Sequence, residues 1–289
     1  MHERASEVDS TLRWATARLR AAGVDSPRLD AEILLAHVLT VDRAHVLAHP
    51  ERSLRATESA RYRQLVVRRA RHEPVPYLVG HQEFYGLDFR VGPAVLIPRP
   101  ETELLVEAAI ALGCASETRP WIVADVGTGS GAIAISLAVN VPHARVYATD
   151  VSAEALAVAE ENRHRHGVGE RVTLLRGHLL IPLPEPVDCI VANLPYVSRA
   201  EWESLPTGIA AYEPRLALDG GPDGLERIDE LLASAGPHLR PGGAILLEIG
   251  AAQGPAVIRL AEEHFPQARV DLLRDYAGLA RVVRVQTAD

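Results

Sequence analysis

Asn193-Leu194-Pro195-Tyr196 follows the apolar run Val187 to Ala192 directly and has the residue types suited to chemistry on a planar nitrogen. The lone pair of an amide or exocyclic amine is delocalised, so such a nitrogen attacks an electrophile poorly. A site that accepts both of its N–H hydrogens aims the remaining electron density at the electrophilic carbon. The Asn193 side-chain oxygen and the Leu194 carbonyl supply two acceptors, Pro195 fixes the turn, and the Tyr196 ring packs on the planar group. A polar turn after a strand is the simpler use of the same residues.

A second chemical group lies upstream. Asp125-Val126-Gly127-Thr128-Gly129-Ser130-Gly131 follows an apolar strand and opens an apolar helix, so its glycines sit where the backbone turns tightly and comes close to a ligand. Asp150 ends the next strand, placed to accept hydrogen bonds from a ribose diol. The loop also fits a dinucleotide pattern through Gly129, Gly131 and Ala134, which keeps an NAD-dependent oxidoreductase open as a different class of function. A dehydrogenase, however, has no use for the Asn193 arrangement.

These groups need a frame that delivers them to one place. From Trp121 onward, short apolar strands (121–125, 145–150, 172–176, 187–193 and 244–249) alternate with helices. That alternation predicts an α/β fold whose parallel sheet has helices on both faces and ligands at the carboxyl ends of its strands. Residues 1–75 read as a separate helical domain, with Val8, Leu12, Ala15 and Leu19 on one apolar face, a stop at Gly23, and Ser26-Pro27 opening the next helix. A further helix spans about 57–71, and its Arg-rich side reads as a solvated face. Pro74 and Pro76 are expected to close this domain, residues 76–100 to form a linker with a short hairpin over Glu83 to Val91, and 101–289 to form the catalytic domain.

Composition narrows the chemistry. The chain has 289 residues, 47% hydrophobic and 24% charged, as a folded globular protein does. All 30 basic residues are Arg, which excludes a Schiff-base or P-loop lysine. A net charge of −8 disfavours sequence-independent binding to a phosphate backbone, so no direct nucleic-acid binding is expected. Cys114, in an expected loop, and Cys189, in an expected buried strand, make no metal or redox pattern. The apolar stretch from Ala132 to Val139 is far shorter than the roughly 20 residues a membrane span needs. The N-terminus lacks the look of a leader, so a cytoplasmic location with no membrane anchor is expected.

Longer strings carry a resemblance. Residues 73–80 (EPVPYLVG) with 83–86 (EFYG), 96–103 (LIPRPETE), 212–218 (YEPRLAL) with 220–225 (GGPDGL), and 274–281 (RDYAGLAR) resemble the bacterial peptide chain release factor N5-glutamine methyltransferases over nearly the whole chain. The resemblance implies a small all-α domain for protein recognition, followed by a Rossmann-like, mostly parallel seven-stranded sheet that binds S-adenosylmethionine without a metal. The reaction it implies is methyl transfer to the side-chain amide nitrogen of the glutamine in the Gly-Gly-Gln motif of class-one release factors. By the same resemblance Gly127, Thr128, Gly129, Ser130 and Gly131 face the methionine end, Asp150 the ribose and Leu179 the adenine. Asn193, Leu194, Pro195 and Tyr196 hold the glutamine amide, with Asn193 also beside the cofactor and with Asn193, Pro195 and Tyr196 as catalytic residues.

Two positions depart from the family's pattern. Leu194 replaces a proline, giving Asn-Leu-Pro-Tyr, a string also familiar from ribosomal RNA adenine dimethyltransferases. Other amides, in small molecules or peptides, and adenine amines therefore remain alternative acceptors. Leu194 precedes a proline and is pushed toward an extended backbone, which still offers its carbonyl. His178 stands where the family places Asp; its ring either accepts from the adenine amine or points to solvent.

Overall fold

The structure, a computed structural model, describes residues 7–115 and 120–288. The reading of the N-terminus as leaderless rests largely on Met1–Ser6, outside the described residues. Helix α1 (Val8–Ala21) buries the expected face of Val8, Leu12, Ala15 and Leu19, each large side chain stabilising the unit by roughly 1.5–3 kcal/mol. Helix α2 (Pro27–Leu39) starts on Pro27, although Ser26 makes no side-chain capping bond. After α3 (Arg43–Ala48) and α4 (Ala56–Arg69), the core gathers Leu12, Leu34, Leu35, Tyr62 and Val66. Within it the Tyr62 hydroxyl donates to the Ala31 carbonyl at 2.9 Å. Part of the Arg-rich stretch is neutralised rather than free: Arg69 pairs with Asp30 at 2.7 Å, and Arg68 pairs with Glu73.

Pro74 and Pro76 open a helix where the sequence suggested a boundary. Pro74 is the N-cap and Pro76 sits in the first turn of α5 (Val75–Val79), where a missing N–H has no partner to lose. The compact helical unit runs to His81 and also takes in Pro206–Tyr212. That return is anchored by the Tyr212 hydroxyl, which donates to the Arg71 carbonyl at 2.9 Å.

A two-stranded hairpin, β1 (His81–Phe84) and β2 (Leu87–Arg90), turns through Tyr85 and Gly86. Both turn residues have positive φ, the geometry of a tight hairpin. The remaining elements in chain order are α6 (Glu103–Cys114), β3 (Trp121–Val126), α7 (Ala132–Asn140), β4 (Ala144–Asp150), α8 (Ala153–Arg165), β5 (Val172–Arg176), β6 (Val187–Ala192), α9 (Arg199–Trp202), α10 (Thr207–Tyr212), α11 (Glu226–Ala235), β7 (Leu239–Glu248), α12 (Gly254–His264), β8 (Arg269–Arg274) and β9 (Ala280–Gln286). Cys114 is thus the last residue of a helix rather than part of a loop, and it is exposed, whereas Cys189 is buried inside β6.

The seven strands run in the order β5-β4-β3-β6-β7-β9-β8. Neighbours from β5 to β7 are parallel, and β9 is antiparallel to both β7 and β8. Strands buried on both faces read as continuous apolar runs, which is why β3 and β6 were visible in the sequence. Val123, Val146, Cys189 and Leu246 pack with α6 and α7 on one face, and Ile122, Ile190, Ile245 and Leu247 pack with α11 and α12 on the other. Strand order reverses between β3 and β6, so the crevice above their carboxyl ends is the expected ligand position.

Candidate active site

Register brings the chemical residues into one row. Val126 pairs with Thr149 on one side and Ala192 on the other, and Ala192 pairs with Leu247. The next residue on each strand is therefore Asp150, Gly127, Asn193 or Glu248, side by side along the carboxyl edge.

The glycine loop is held from beneath. The Gly127 and Thr128 amides both donate to the Thr149 carbonyl at 2.9 Å, and Gly131 N donates to the Thr128 carbonyl at 2.8 Å. Gly127 and Gly131 have φ of 75° and 80°, a region other residues avoid. A Cβ on Gly127 would lie 3.2 Å from Leu194 Cδ2, and one on Gly131 would lie 3.0 Å from Ile135 Cδ1. Gly127 thus lets the loop close directly on the tetrapeptide, while Gly131 lets α7 start against its own second turn.

Asp125, wholly buried, ties the loop to the helix. Its Oδ2 accepts from Thr128 Oγ1 at 2.6 Å and from Ala134 N at 3.1 Å, and Oδ1 has no partner among the described residues. Burial pushes this carboxyl up to about 7, outweighing the two hydrogen bonds, and the nearby Asp150 charge adds to the rise. An acid with a raised folded-state pKa favours folding below its unfolded value, and that contribution fades as pH climbs through about 7. Asp125→Asn keeps an oxygen for Thr128 and Ala134 and removes the titration. Relative to the parent, its urea-unfolding free energy should rise between pH 5 and 8 by on the order of 2 kcal/mol. A difference that stays constant with pH would contradict the assignment.

Asp150 is already oriented. Oδ2 accepts from Gly129 N and Oδ1 from Ser152 N, both at 2.9 Å. A carboxylate offers about four lone-pair sites, so acceptor capacity remains for two hydroxyls. Asn193 donates through Nδ2 to Thr102 Oγ1 at 3.2 Å, which leaves Oδ1 as the acceptor of a residue that lines the cavity. Leu194 is buried against the loop, whereas Pro195 is half-buried. Tyr196 is also half-buried, and burial together with the Glu248 carboxyl pushes its phenol up to about 12. The Tyr196 carbonyl accepts from Gln253 Nε2 at 3.0 Å.

A single cavity of about 390 Å³ collects Gly127, Thr128, Gly129, Ser130, Asp150, Leu179, Asn193, Leu194 and Pro195. Gly131 and Tyr196 do not line it. Leu179 adopts φ 45°, rare for a Leu, and its carbonyl accepts from Thr149 Oγ1 at 2.9 Å. Strain of this kind collects at ligand sites. His178 lines the cavity, and its Nε2 lies 2.6 Å from Glu230 Oε1 on α11, whose Arg227 pairs with the same carboxylate at 2.8 Å.

Four residues escaped the sequence reading. Thr102 and Arg99 line the cavity, Glu213 is buried against Arg99 and accepts from Ile97 N at 3.1 Å, and Glu248 is 2% exposed behind Asn193. Arg99 and Glu213 lie in two of the motif strings, but nothing in those strings marked them as partners. Nothing in the run 244–249 marked its one acid as special.

Strand order, glycine loop and a site at the switch point define a Rossmann-like, S-adenosylmethionine-dependent methyltransferase. Residues 10–80 match the PrmC N-terminal domain and residues 123–212 a methyltransferase domain. The chain belongs to the release factor glutamine methyltransferase family: it is 50% identical to the Moorella thermoacetica release factor glutamine methyltransferase over 92% of this chain and 94% of that one. It is 41% identical to the Nitratidesulfovibrio vulgaris relative over 96% and 94%. The ribosomal protein L11 methylase of Lactobacillus delbrueckii subsp. bulgaricus shares the fold, with a TM-score of 0.50 at 23% identity, covering 71% of this chain and 90% of that one.

Proposed function

We propose that this protein transfers a methyl group from S-adenosylmethionine to the side-chain amide nitrogen of the glutamine in the Gly-Gly-Gln motif of peptide chain release factors. The observation that carries the reading is Asn193: it lies next to Gly127 across the β3–β6 register, and its amide NH2 is engaged by Thr102. Its oxygen is left for the substrate.

The cavity residues fit S-adenosylmethionine. Asp150 has acceptor capacity for the ribose hydroxyls, the Gly129 position is open enough for backbone to approach a ligand, and Leu179 and Ile133 offer apolar wall to a purine. When bound, the cofactor supplies an electrophilic methyl on a positively charged sulfur. Asn193 Oδ1 and the Leu194 carbonyl accept the two amide hydrogens and fix the nitrogen for in-line attack. Pro195 holds the turn that keeps both acceptors on one side. An N-alkylated, protonated amide is strongly acidic, so its proton leaves to solvent without a dedicated base.

The helical unit is assigned to recognition of the protein substrate, in keeping with the domain match over residues 10–80. Direct nucleic-acid binding is not part of this reading, and the net charge of −8 supports that. Among the described residues no helix is long and apolar enough to cross a membrane. A translation factor as substrate supports a cytoplasmic location.

Leu194 need supply only its carbonyl. Leu194→Pro should therefore keep turnover on a Gly-Gly-Gln protein within about threefold or raise it, and should lower stability by about 1–2 kcal/mol because a buried side chain against Gly127 is trimmed. Steady-state kinetics and urea unfolding check both halves; a large loss of turnover would show that the leucine side chain itself serves the acceptor. The functional reading is tested by incubating a purified release factor with labelled S-adenosylmethionine and mapping the labelled peptide.

A further inference from the structure

We propose that Glu248 is a positioning residue for this transfer, its buried carboxylate setting the carboxamide of Asn193 so that Oδ1, not Nδ2, meets the substrate nitrogen. The inference rests on the role given to Asn193 above. Ala192 pairs with Leu247, so Asn193 and Glu248 are the next residues on adjacent parallel strands and fall on the same side of the sheet. Glu248 is 2% exposed, and its Oε2 has no hydrogen-bond partner among the described residues. Thr102, 4% exposed, completes the group.

The polarity of this group is determined by donor counting. An ionised carboxylate only accepts, and a threonine hydroxyl has one hydrogen. The Thr102 hydroxyl and the Asn193 carboxamide both stand as donors toward Glu248, and Asn193 Nδ2 also donates to Thr102 Oγ1 at 3.2 Å. Rotating the carboxamide by half a turn would set Oδ1 against an acceptor-only carboxylate and turn NH2 into the cavity. There the substrate's own N–H groups would meet donors instead of an acceptor. A neutral Glu248 would remove that bias, because a protonated carboxyl can donate to Oδ1.

The surroundings put this choice near neutrality. Burial pushes the Glu248 carboxyl up to about 7 against the donors Thr102 and Asn193 and the Arg281 charge on β9, with Glu101 adding to the rise. Tyr196 and Arg99 also share the electrostatic neighbourhood. The ionised form is the competent one, so turnover should fall on the acid side of about 7.

The experiment compares the full-length parent, Glu248→Gln and Glu248→Asp between about pH 6 and 9, with kcat and KM for a Gly-Gly-Gln protein and calorimetric S-adenosylmethionine affinity. The side-chain NH2 signals of Asn193, assigned by their loss in Asn193→Ala, are followed over the same range without substrate. Gln can present either its oxygen or its NH2, so Glu248→Gln should lower kcat by about tenfold at the alkaline end, remove the acid limb and leave cofactor affinity within about twofold. Glu248→Asp should recover part of the rate and retain an acid limb. The Asn193 signals should titrate near 7 in the parent and stay flat in Glu248→Gln. Unchanged kcat and pH profile in Glu248→Gln, or cofactor affinity falling in step with kcat, would overturn the proposal. A parent that methylates no Gly-Gly-Gln protein would instead overturn the functional reading, and the NH2 titration would still decide the role of Glu248.

Discussion

Replacing Asn193 by Ala should lower single-turnover methylation by roughly a hundredfold or more and change S-adenosylmethionine affinity little, the loss expected when one preorganised hydrogen bond at a transition state is removed. The Asn193 oxygen accepts from a nitrogen whose N–H groups become more acidic as it pyramidalises toward the methyl carbon. The contact therefore strengthens along the reaction, and such a contact raises the rate rather than only tightening binding. Asn193→Asp keeps an acceptor but places a charge beside the positively charged sulfur. It should bind cofactor at least as well and still transfer slowly, because the added anion stabilises the ground-state charge that transfer dissipates. Near-parental single turnover in Asn193→Ala would reduce the tetrapeptide to a structural turn.

The second large effect belongs to Asp150. Two charge-assisted hydrogen bonds to ribose hydroxyls, each worth about 1.5–3 kcal/mol, disappear in Asp150→Ala, so cofactor affinity should fall tenfold or more. The structure adds a second route to the same loss. Asp150 also accepts from the Gly129 amide at 2.9 Å, and without it that N–H loses its acceptor and the glycine loop keeps only the Gly127 and Thr128 bonds to Thr149 as its ties to β4. Asp150→Asn keeps one carbonyl oxygen for Gly129 and should fall between the two. Unchanged calorimetric affinity in Asp150→Ala would remove Asp150 from the cofactor site.

What could be read in advance follows from what local sequence encodes. Strands β3 and β6 are buried on both faces and therefore appear as apolar runs, and the residues at their ends, Gly127 and Asn193, are conspicuous in type. Edge strand β8 is partly solvated, and both it and β9 carry charged residues such as Arg269, Asp271 and Arg284 among their apolar ones, so they emerged only through the resemblance of the 274–281 string. Glu248 was silent because its meaning depends on register: one position along β7 it would face elsewhere, and only pairing with β6 sets it behind Asn193. The bond from His178 to Glu230 spans 52 residues and rests on a loop and a helix that no local pattern relates. Pro74 and Pro76 misled for a different reason, since proline both ends and begins helices and the sequence alone does not say which. Leu179 shows the limit most plainly, for a leucine with positive φ is imposed by tertiary structure against its own preference.

The most direct test of the account is the position of the methyl group. Purified protein, labelled S-adenosylmethionine and an intact release factor are incubated, and the factor is digested and mapped by mass spectrometry. A single added methyl on the side-chain nitrogen of the Gly-Gly-Gln glutamine is expected. An unlabelled Gly-Gly-Gln peptide from an enzyme that binds its cofactor, or label on a different acceptor, would contradict it.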